Sequence, residues 1–476
     1  MNRPRVLLSA YQCGPGQGSV SQIGWEWYSR LAEHAAVTLV THVRNRTVLD
    51  SQALPAPDSQ IVYVDTEALA GPLYSIASRL FPRSQHAVFL ISSLDFFAFD
   101  RRAFRMLRAM QRGGQVWDVV HCVTPVSPIA SPTLHRLGVP VVLGPWNGGL
   151  KSPTTFPEFM KQDSGWLYPI RNLGRIAEFI NHGIARSAKV LTATAATVES
   201  IPRAYMDKNF HMLENGVDLD QFRPTAWPVN PSPENPLQVL FVGRLIPIKG
   251  VSMLLDAVKK ISITIPVELT LIGDGPERES LEAQSISLAI HRSVHFRGNL
   301  KLDEVSAAMR NAHVFCLPSV RESGGAVLLE AMASARPVIA VKHGGPAELV
   351  TDEVGHAIEP LGRDYVIDEL TSDLQSVVQF PELWKQKGLA GRKKAEKLFS
   401  WNAKIDQILL LYRTLIRDQS RDDSVLTSAR EILHVFSPAS EKSTEGVVSG
   451  DYREWMTTQD SSKLGELIPD KEKKIR

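Results

Sequence analysis

Residues Val314–Met332, VFCLPSVRESGGAVLLEAM, decide the fold. Four apolar residues of strand length stop at Pro318, a loop with two adjacent glycines follows, and AVLLEAM resumes as a helix former, so the stretch reads strand, turn, helix. In an open parallel sheet, side chains just past the carboxyl end of a strand face the ligand crevice. Glu322 stands in this loop. Glu330 follows eight residues later, about one turn into the helix, and its side chain leans back toward the helix start. The amides near Gly324–Val327, unpaired at the start of a helix, form an anion site between the two acids. A first-turn acid complementing the helix dipole is a sufficient structural reason for Glu330 alone. It does not explain two carboxylates flanking a pair of glycines.

Outward from this stretch, apolar runs of strand length alternate with amphipathic segments along most of the chain, which predicts parallel sheets covered by helices on both faces. In the second half the strand candidates are Leu237–Arg244, Val267–Gly273, Val294–Arg297, Val314–Pro318 and Pro337–Val341. In the first half they are Arg5–Tyr11, Val37–His42, Ile61–Asp65, Val116–Val123, Val139–Trp146 and Val190–Thr194. Between the two series Pro224, Pro228, Pro231, Pro233 and Pro236 crowd a polar stretch that suits neither regular element. The expected organisation is therefore an N-terminal Rossmann-like domain over 1–222, a linker over 223–236 and a second such domain over 237–400. A crossover helix over 401–417 follows, then a polar tail over 418–476 with a short helix near Ala429–Val435.

Composition excludes several classes. With 476 residues, 43% apolar and 22% charged, the chain is ordinary two-domain globular material. A net charge of +2 makes no case for nucleic acid as a partner. Cys13, Cys122 and Cys316 are too scattered for a disulfide frame or zinc site, which points to a reducing, cytoplasmic setting. The early apolar run ends at Tyr11, too short for a signal-peptide core, and no segment has the apolar length of a bilayer span. The charge is unevenly spread: residues 1–205 hold about 20 basic and about 13 acidic side chains, the remainder about 33 and 38. Arg101, Arg105, Arg108 and Arg112 line one helix face opposite Phe99, Ala103, Met106 and Met110. A solvated face is one reading. Peripheral contact with anionic lipid on the inner face of the cytoplasmic membrane, or with a phosphate-bearing acceptor, is the other.

Two further places carry chemistry. Gly243-Arg244 closes a strand and Lys249-Gly250 opens the next helix, so Arg244 and Lys249 point toward the crevice, where two cations suit a diphosphate. Solvated loop cations are the plain alternative. Gly14, Gly16 and Gly18 sit between the first strand and a helix, where backbone amides could meet phosphate, although a glycine-rich turn with no ligand reads equally well. His121 ends a strand, a position where a histidine is more often a satisfied structural group than a catalyst.

As an ordered set these segments resemble the retaining glycosyltransferases of family 4. Glu322 and Glu330 match the Glu-x7-Glu spacing of that family. Asn215-Gly216-Val217-Asp218, Gly243-Arg244 with Lys249-Gly250, Gly273-Asp274-Gly275-Pro276, Gly344-Gly345-Pro346-Ala347-Glu348 and Phe399-Ser400-Trp401 match in order. The resemblance spans roughly residues 5–417. It implies an α/β fold of GT-B architecture, two facing Rossmann-like domains with the C-terminal helix returning to the first. It implies Glu322 on the hydroxyls of the transferred sugar, Glu330 on the ribose, and Arg244 with Lys249 on the diphosphate. Gly16, Gly18, Gly243, Ser323, Gly324, Gly325, Ala326 and Val327 would form the donor walls, with His121 near the reacting centre. The substrates implied are a nucleotide diphosphate sugar and a glycan or lipid-linked acceptor, without cofactor or metal. Asp218-Leu219-Asp220 has the look of a metal-binding pair but belongs to the turn before the linker. One departure stands out: Ser323 and Gly324 occupy places where the family commonly has glycine and an aromatic residue, so the sugar pocket has its own shape. An inactive partner subunit on the same scaffold and a sugar-nucleotide epimerase are the alternatives. An epimerase would require acid and base groups placed for proton removal from the sugar ring.

Overall fold

Runs such as VLLSA at Val6–Ala10 and VVLGPW at Val141–Trp146 have no polar alternation, so both of their faces must be covered, and both are buried throughout. The protein is described here from a computed structural model covering residues 3–68, 95–127, 130–150, 153–157, 178–199 and 201–419. The expected tail beyond residue 419 lies outside the described residues.

The first sheet contains β1 (Arg5–Ala10), β2 (Ala36–His42), β3 (Gln60–Val64), β4 (Val119–Thr124), β5 (Val141–Trp146), β6 (Lys189–Thr192) and β7 (Asn209–His211), in the order β3-β2-β1-β4-β5-β6-β7. The second contains β8 (Leu237–Val242), β9 (Val267–Ile272), β10 (Val294–Gly298), β11 (Val314–Leu317), β12 (Val338–Val341) and β13 (Gly355–Ile358), ordered β10-β9-β8-β11-β12-β13. Every pairing in both sheets is parallel. The order reverses between β1 and β4 in one sheet and between β8 and β11 in the other. These reversals are the topological switch points beside which doubly wound sheets bind ligands. β7 and β13, absent from the sequence reading, are short strands at sheet edges.

Longer helices cover the sheets: α1 (Ser19–Ala32), α2 (Asp95–Arg112), α3 (Val251–Ile261), α4 (Arg278–Ser287), α5 (Leu302–Asn311), α6 (Ala326–Ala333), α7 (Arg363–Gln379), α8 (Pro381–Lys394) and α9 (Trp401–Gln419). On α2, Phe99, Ala103 and Leu107 are buried while Arg101, Arg105, Arg108 and Arg112 are exposed. Residues 223–236 contain no helix or strand. They are nevertheless fastened to the second lobe by the buried Arg336, whose Nη2 donates to Thr225 Oγ1 at 2.9 Å and to Ala226 O at 3.2 Å. The same guanidinium stands 5.7 Å from the Trp227 ring centroid.

The chain crosses between lobes twice. After α8 it returns, and α9 packs on α1 and β4 of the first lobe, with Trp401 edge-on to Trp27 at 5.8 Å and Ile405, Ile408, Leu409 and Tyr412 buried. The outgoing and returning segments pair, Val217 N donating to Phe399 O at 2.9 Å and Trp401 N to Val217 O at 3.2 Å. The carboxyl ends of the two sheets face one another: Ala195 N, just after β6, donates to Glu348 Oε1 at 3.0 Å, and Thr155 Oγ1 donates to Pro360 O at 2.6 Å.

Candidate functional site

Three strand ends of the second sheet are woven into one wall of the cleft. Gly243 N donates to Ile272 O at 2.9 Å, Leu245 N to Asp274 O at 3.0 Å, and Val320 N to Ile248 O at 2.9 Å, so the loops after β8, β9 and β11 hold each other in place. Gly243 and the exposed Arg244 follow β8, and Lys249 is half-buried at the turn before α3. Glu322 lies in the loop after β11, its carbonyl accepting from Gly345 N at 2.9 Å.

The structure brings Lys249 and Glu322 into direct contact, Nζ donating to Oε2, with the two side chains 18% and 13% exposed. The other carboxylate oxygen of Glu322 faces Gly325 N at 3.4 Å, at the start of α6. A cation and an anion, both largely shielded from water, therefore neutralise each other at the β8/β11 switch point. An incoming diphosphate would draw the ammonium to itself and leave the carboxylate to accept hydroxyls. Ser323 is exposed, Gly324 and Gly325 are buried, and Ala326 and Val327 form the first residues of α6.

Glu330, the fifth residue of α6, is half-buried. Burial pushes its carboxyl up to about 7. Arg244 follows β8, and Glu330 lies in the helix that begins just after the Glu322 loop. On the opposite lobe Gly16 and Gly18 lie in the exposed loop between β1 and α1, where Gly16 N donates to the Gln22 side chain at 3.1 Å.

His121 requires a correction. It is the third residue of β4 rather than its end, is 0% exposed, and has both ring nitrogens occupied. Nε2 lies 2.7 Å from Gly144 O, a group that only accepts, so Nε2 carries the proton and Nδ1 accepts from Tyr412 Oη at 2.6 Å. Burial lowers its pKa to about 4, keeping the ring neutral. This histidine fastens α9 to the first sheet and is not placed to meet a substrate. Tyr412→Phe is expected to lower unfolding stability by about 1–2 kcal/mol in urea titrations, because it leaves a buried nitrogen unpaired. An unchanged midpoint would show that the bond contributes nothing.

The Asp218-Leu219-Asp220 pair is likewise engaged elsewhere. Asp218 accepts from Arg30 Nη2 at 2.6 Å and from the amides of Asp220 and Gln221, while Asp220 pairs with Arg223 on the surface.

A residue that sequence reasoning missed completes the cleft. Glu214, three residues past β7, is buried at 4% exposure and lies against Gly324. A Cβ at Gly324 would overlap Glu214 Oε1 and stand 2.5 Å from Asn215 Nδ2, so no side chain fits there. Glu214 and Asn215 thus occupy the space next to position 324. The only sequence signal was an acid placed between the apolar Met212-Leu213 and the Asn215-Gly216 turn.

Two doubly wound sheets with facing switch points define the GT-B class of α/β fold. The structure of Anabaena Alr3699/HepE in complex with UDP shares that fold, with a TM-score of 0.56 and 16% identity over 85% of this chain and 98% of that one. Residues 223–385 match the family described as Glycosyl transferases group 1. The GDP-mannose-dependent alpha-mannosyltransferase of Mycobacterium tuberculosis (strain CDC 1551 / Oshkosh) is 30% identical over 331 residues, covering 66% of this chain and 76% of the relative. The MMP alpha-(1->4)-mannosyltransferase of Mycolicibacterium hassiacum is 29% identical over 244 residues, or 51% of this chain, which spans only 55% of that relative. The chain belongs to the group 1 glycosyltransferases. Among the described residues, no helix is long and apolar enough to cross a membrane.

Proposed function

We propose that this chain is a retaining, metal-independent glycosyltransferase of the family 4 kind. It moves a hexose from a nucleotide diphosphate sugar to a glycan or lipid-linked acceptor in surface or exopolysaccharide assembly. The meeting of Lys249 and Glu322 at the β8/β11 switch point carries the reading, since it puts a phosphate-binding cation beside a hydroxyl-binding anion. Arg244 and Lys249 take the diphosphate, Glu322 the transferred sugar and Glu330 the ribose. Gly16 and Gly18 approach the phosphates from the first lobe. The transition state has oxocarbenium character at the sugar and growing negative charge on the departing diphosphate, which the two cations stabilise. The acceptor oxygen bonds to the anomeric carbon on the face from which the phosphate oxygen leaves, and the acceptor proton passes to that phosphate. The exposed arginines of α2 favour an acceptor held at an anionic membrane on its cytoplasmic side. The named relatives make GDP-mannose a first donor to try, and the UDP-bound fold neighbour makes UDP-sugars the second.

Thermal unfolding with GDP-mannose, UDP-glucose and ADP-glucose tests this. A true donor at a hundred times its Kd adds about 2.7 kcal/mol to the folded state. The effect has a sign in pH. With the free-protein pKa of Glu330 raised to about 7, the carboxylate that accepts ribose hydroxyls is present above pH 7 and is lost as pH falls through it. Donor affinity should therefore rise from pH 6 to 8, and Glu330→Gln should flatten that rise. A chain stabilised by none of the three nucleotides sinks the reading.

A further inference from the structure

Glu214 and Asn147 meet across the first lobe's strand ends, after β7 and β5 respectively. Asn147 Nδ2 donates to Glu214 Oε1 at 2.5 Å, and Asn215 Nδ2 donates to the same oxygen at 3.1 Å. The two remaining oxygens, Glu214 Oε2 and Asn147 Oδ1, are both buried without a hydrogen-bond partner among the described residues. A buried acceptor left unmade is costly, and two on touching side chains call for two donors from outside the chain. Phosphate is excluded because it carries no suitable donor and the carboxylate repels it. Neighbouring sugar hydroxyls can supply two donors, one to a carboxylate oxygen and one to an amide oxygen.

Position decides which sugar. Glu214 lies against Gly324, two residues from Glu322, and burial first, with the charge of Glu322 a smaller contribution, raises the Glu214 carboxyl above its ordinary value. The buried Lys404 donates to Leu213 O, next in sequence to Glu214, stands 5.6 and 5.7 Å from the rings of Trp27 and Trp401, and its charge favours that of Glu214. We propose that Glu214 and Asn147 form a hydroxyl-binding pair for the transferred sugar, facing Glu322 from the other lobe. This rests on the nucleotide-sugar reading above and adds to it a specificity element taken from the first lobe. The sugar is gripped from both sides of the cleft, so a donor holds the lobes together in a way the nucleotide alone does not.

The test compares full-length wild type with Glu214→Gln by calorimetry, using GDP-mannose against GDP and UDP-glucose against UDP. Glu214→Gln replaces the unpaired acceptor with a donor of the same shape. It is expected to weaken the nucleotide sugar that the wild type binds by about tenfold to a hundredfold, and to leave the matching diphosphate within twofold. Asn147→Ala, which leaves Glu214 and Lys404 unchanged, is expected to weaken the same nucleotide sugar about three- to tenfold and serves if Glu214→Gln does not fold. Equal losses for sugar-bearing and sugar-free nucleotides, or no loss at all, overturn the proposal while leaving the nucleotide-sugar reading standing. A wild-type chain that binds none of these nucleotides overturns both.

Discussion

Glu322→Gln is expected to reduce sugar transfer about a hundredfold to a thousandfold while GDP or UDP binds as tightly as in the wild type, or a few-fold more tightly. The second half of that expectation comes from the ion pair. In the free protein the Lys249 ammonium is committed to Glu322, and a diphosphate must draw it away. Removing the carboxylate's charge releases Lys249 to the phosphates but leaves it uncompensated in a shielded site. The free variant should therefore unfold about 1–3 kcal/mol more easily and regain more stability from added nucleotide than the wild type does. Steady-state rates, calorimetry of the diphosphate and paired melting curves check the three parts together. Unchanged turnover would remove Glu322 from the chemistry. Weaker diphosphate binding would mean that Glu322 positions Lys249 rather than competing for it.

Gly250→Ala is expected to be severe at a position with no functional group. Gly250 has φ +67 where the turn holding Lys249 gives way to α3. A Cβ there would overlap the carbonyl oxygen of Pro318 and approach Met253 Cε to 2.6 Å. The left-handed backbone alone costs an alanine about 1 kcal/mol, and the collision involves main chain that cannot rotate away, so a total of about 2–4 kcal/mol is expected. The strand ends after β8 and β11 would be pushed apart, separating Lys249 from the Glu322 loop. Chemical denaturation should show the stability loss, and nucleotide affinity should fall about tenfold with it. A variant with wild-type stability would mean that α3 and the Pro318 loop are not in contact at this point.

Much of the architecture was legible because buried parallel strands announce themselves as unbroken apolar runs, and each long run became a strand within a few residues of its expected limits. β7 and β13 escaped because edge strands of three and four residues, NFH and GHAI, are too short to show a pattern. Glu322, Lys249 and Arg244 could be located since a strand end followed by glycine and a helix start dictates where a side chain points. His121 misled for a related reason. Strand length decides whether a residue reaches the rim, and a strand running to Thr124 leaves position 121 inside the sheet, where Tyr412, 291 residues away, meets it. Glu214 was invisible because its setting is made by partners distant in sequence, Asn147, Gly324 and Lys404, which no local spacing connects.

The paired chain crossings at Val217 and Ser400 have a mechanical consequence. Two connections stitched to each other by backbone hydrogen bonds cannot slide independently, so they act as a single pivot line along one side of the molecule. Widening of the gap then becomes a swing about that line. The loops around Gly16 and Arg244 would travel according to their distance from it, while Glu214, a few residues from the pivot, would barely move.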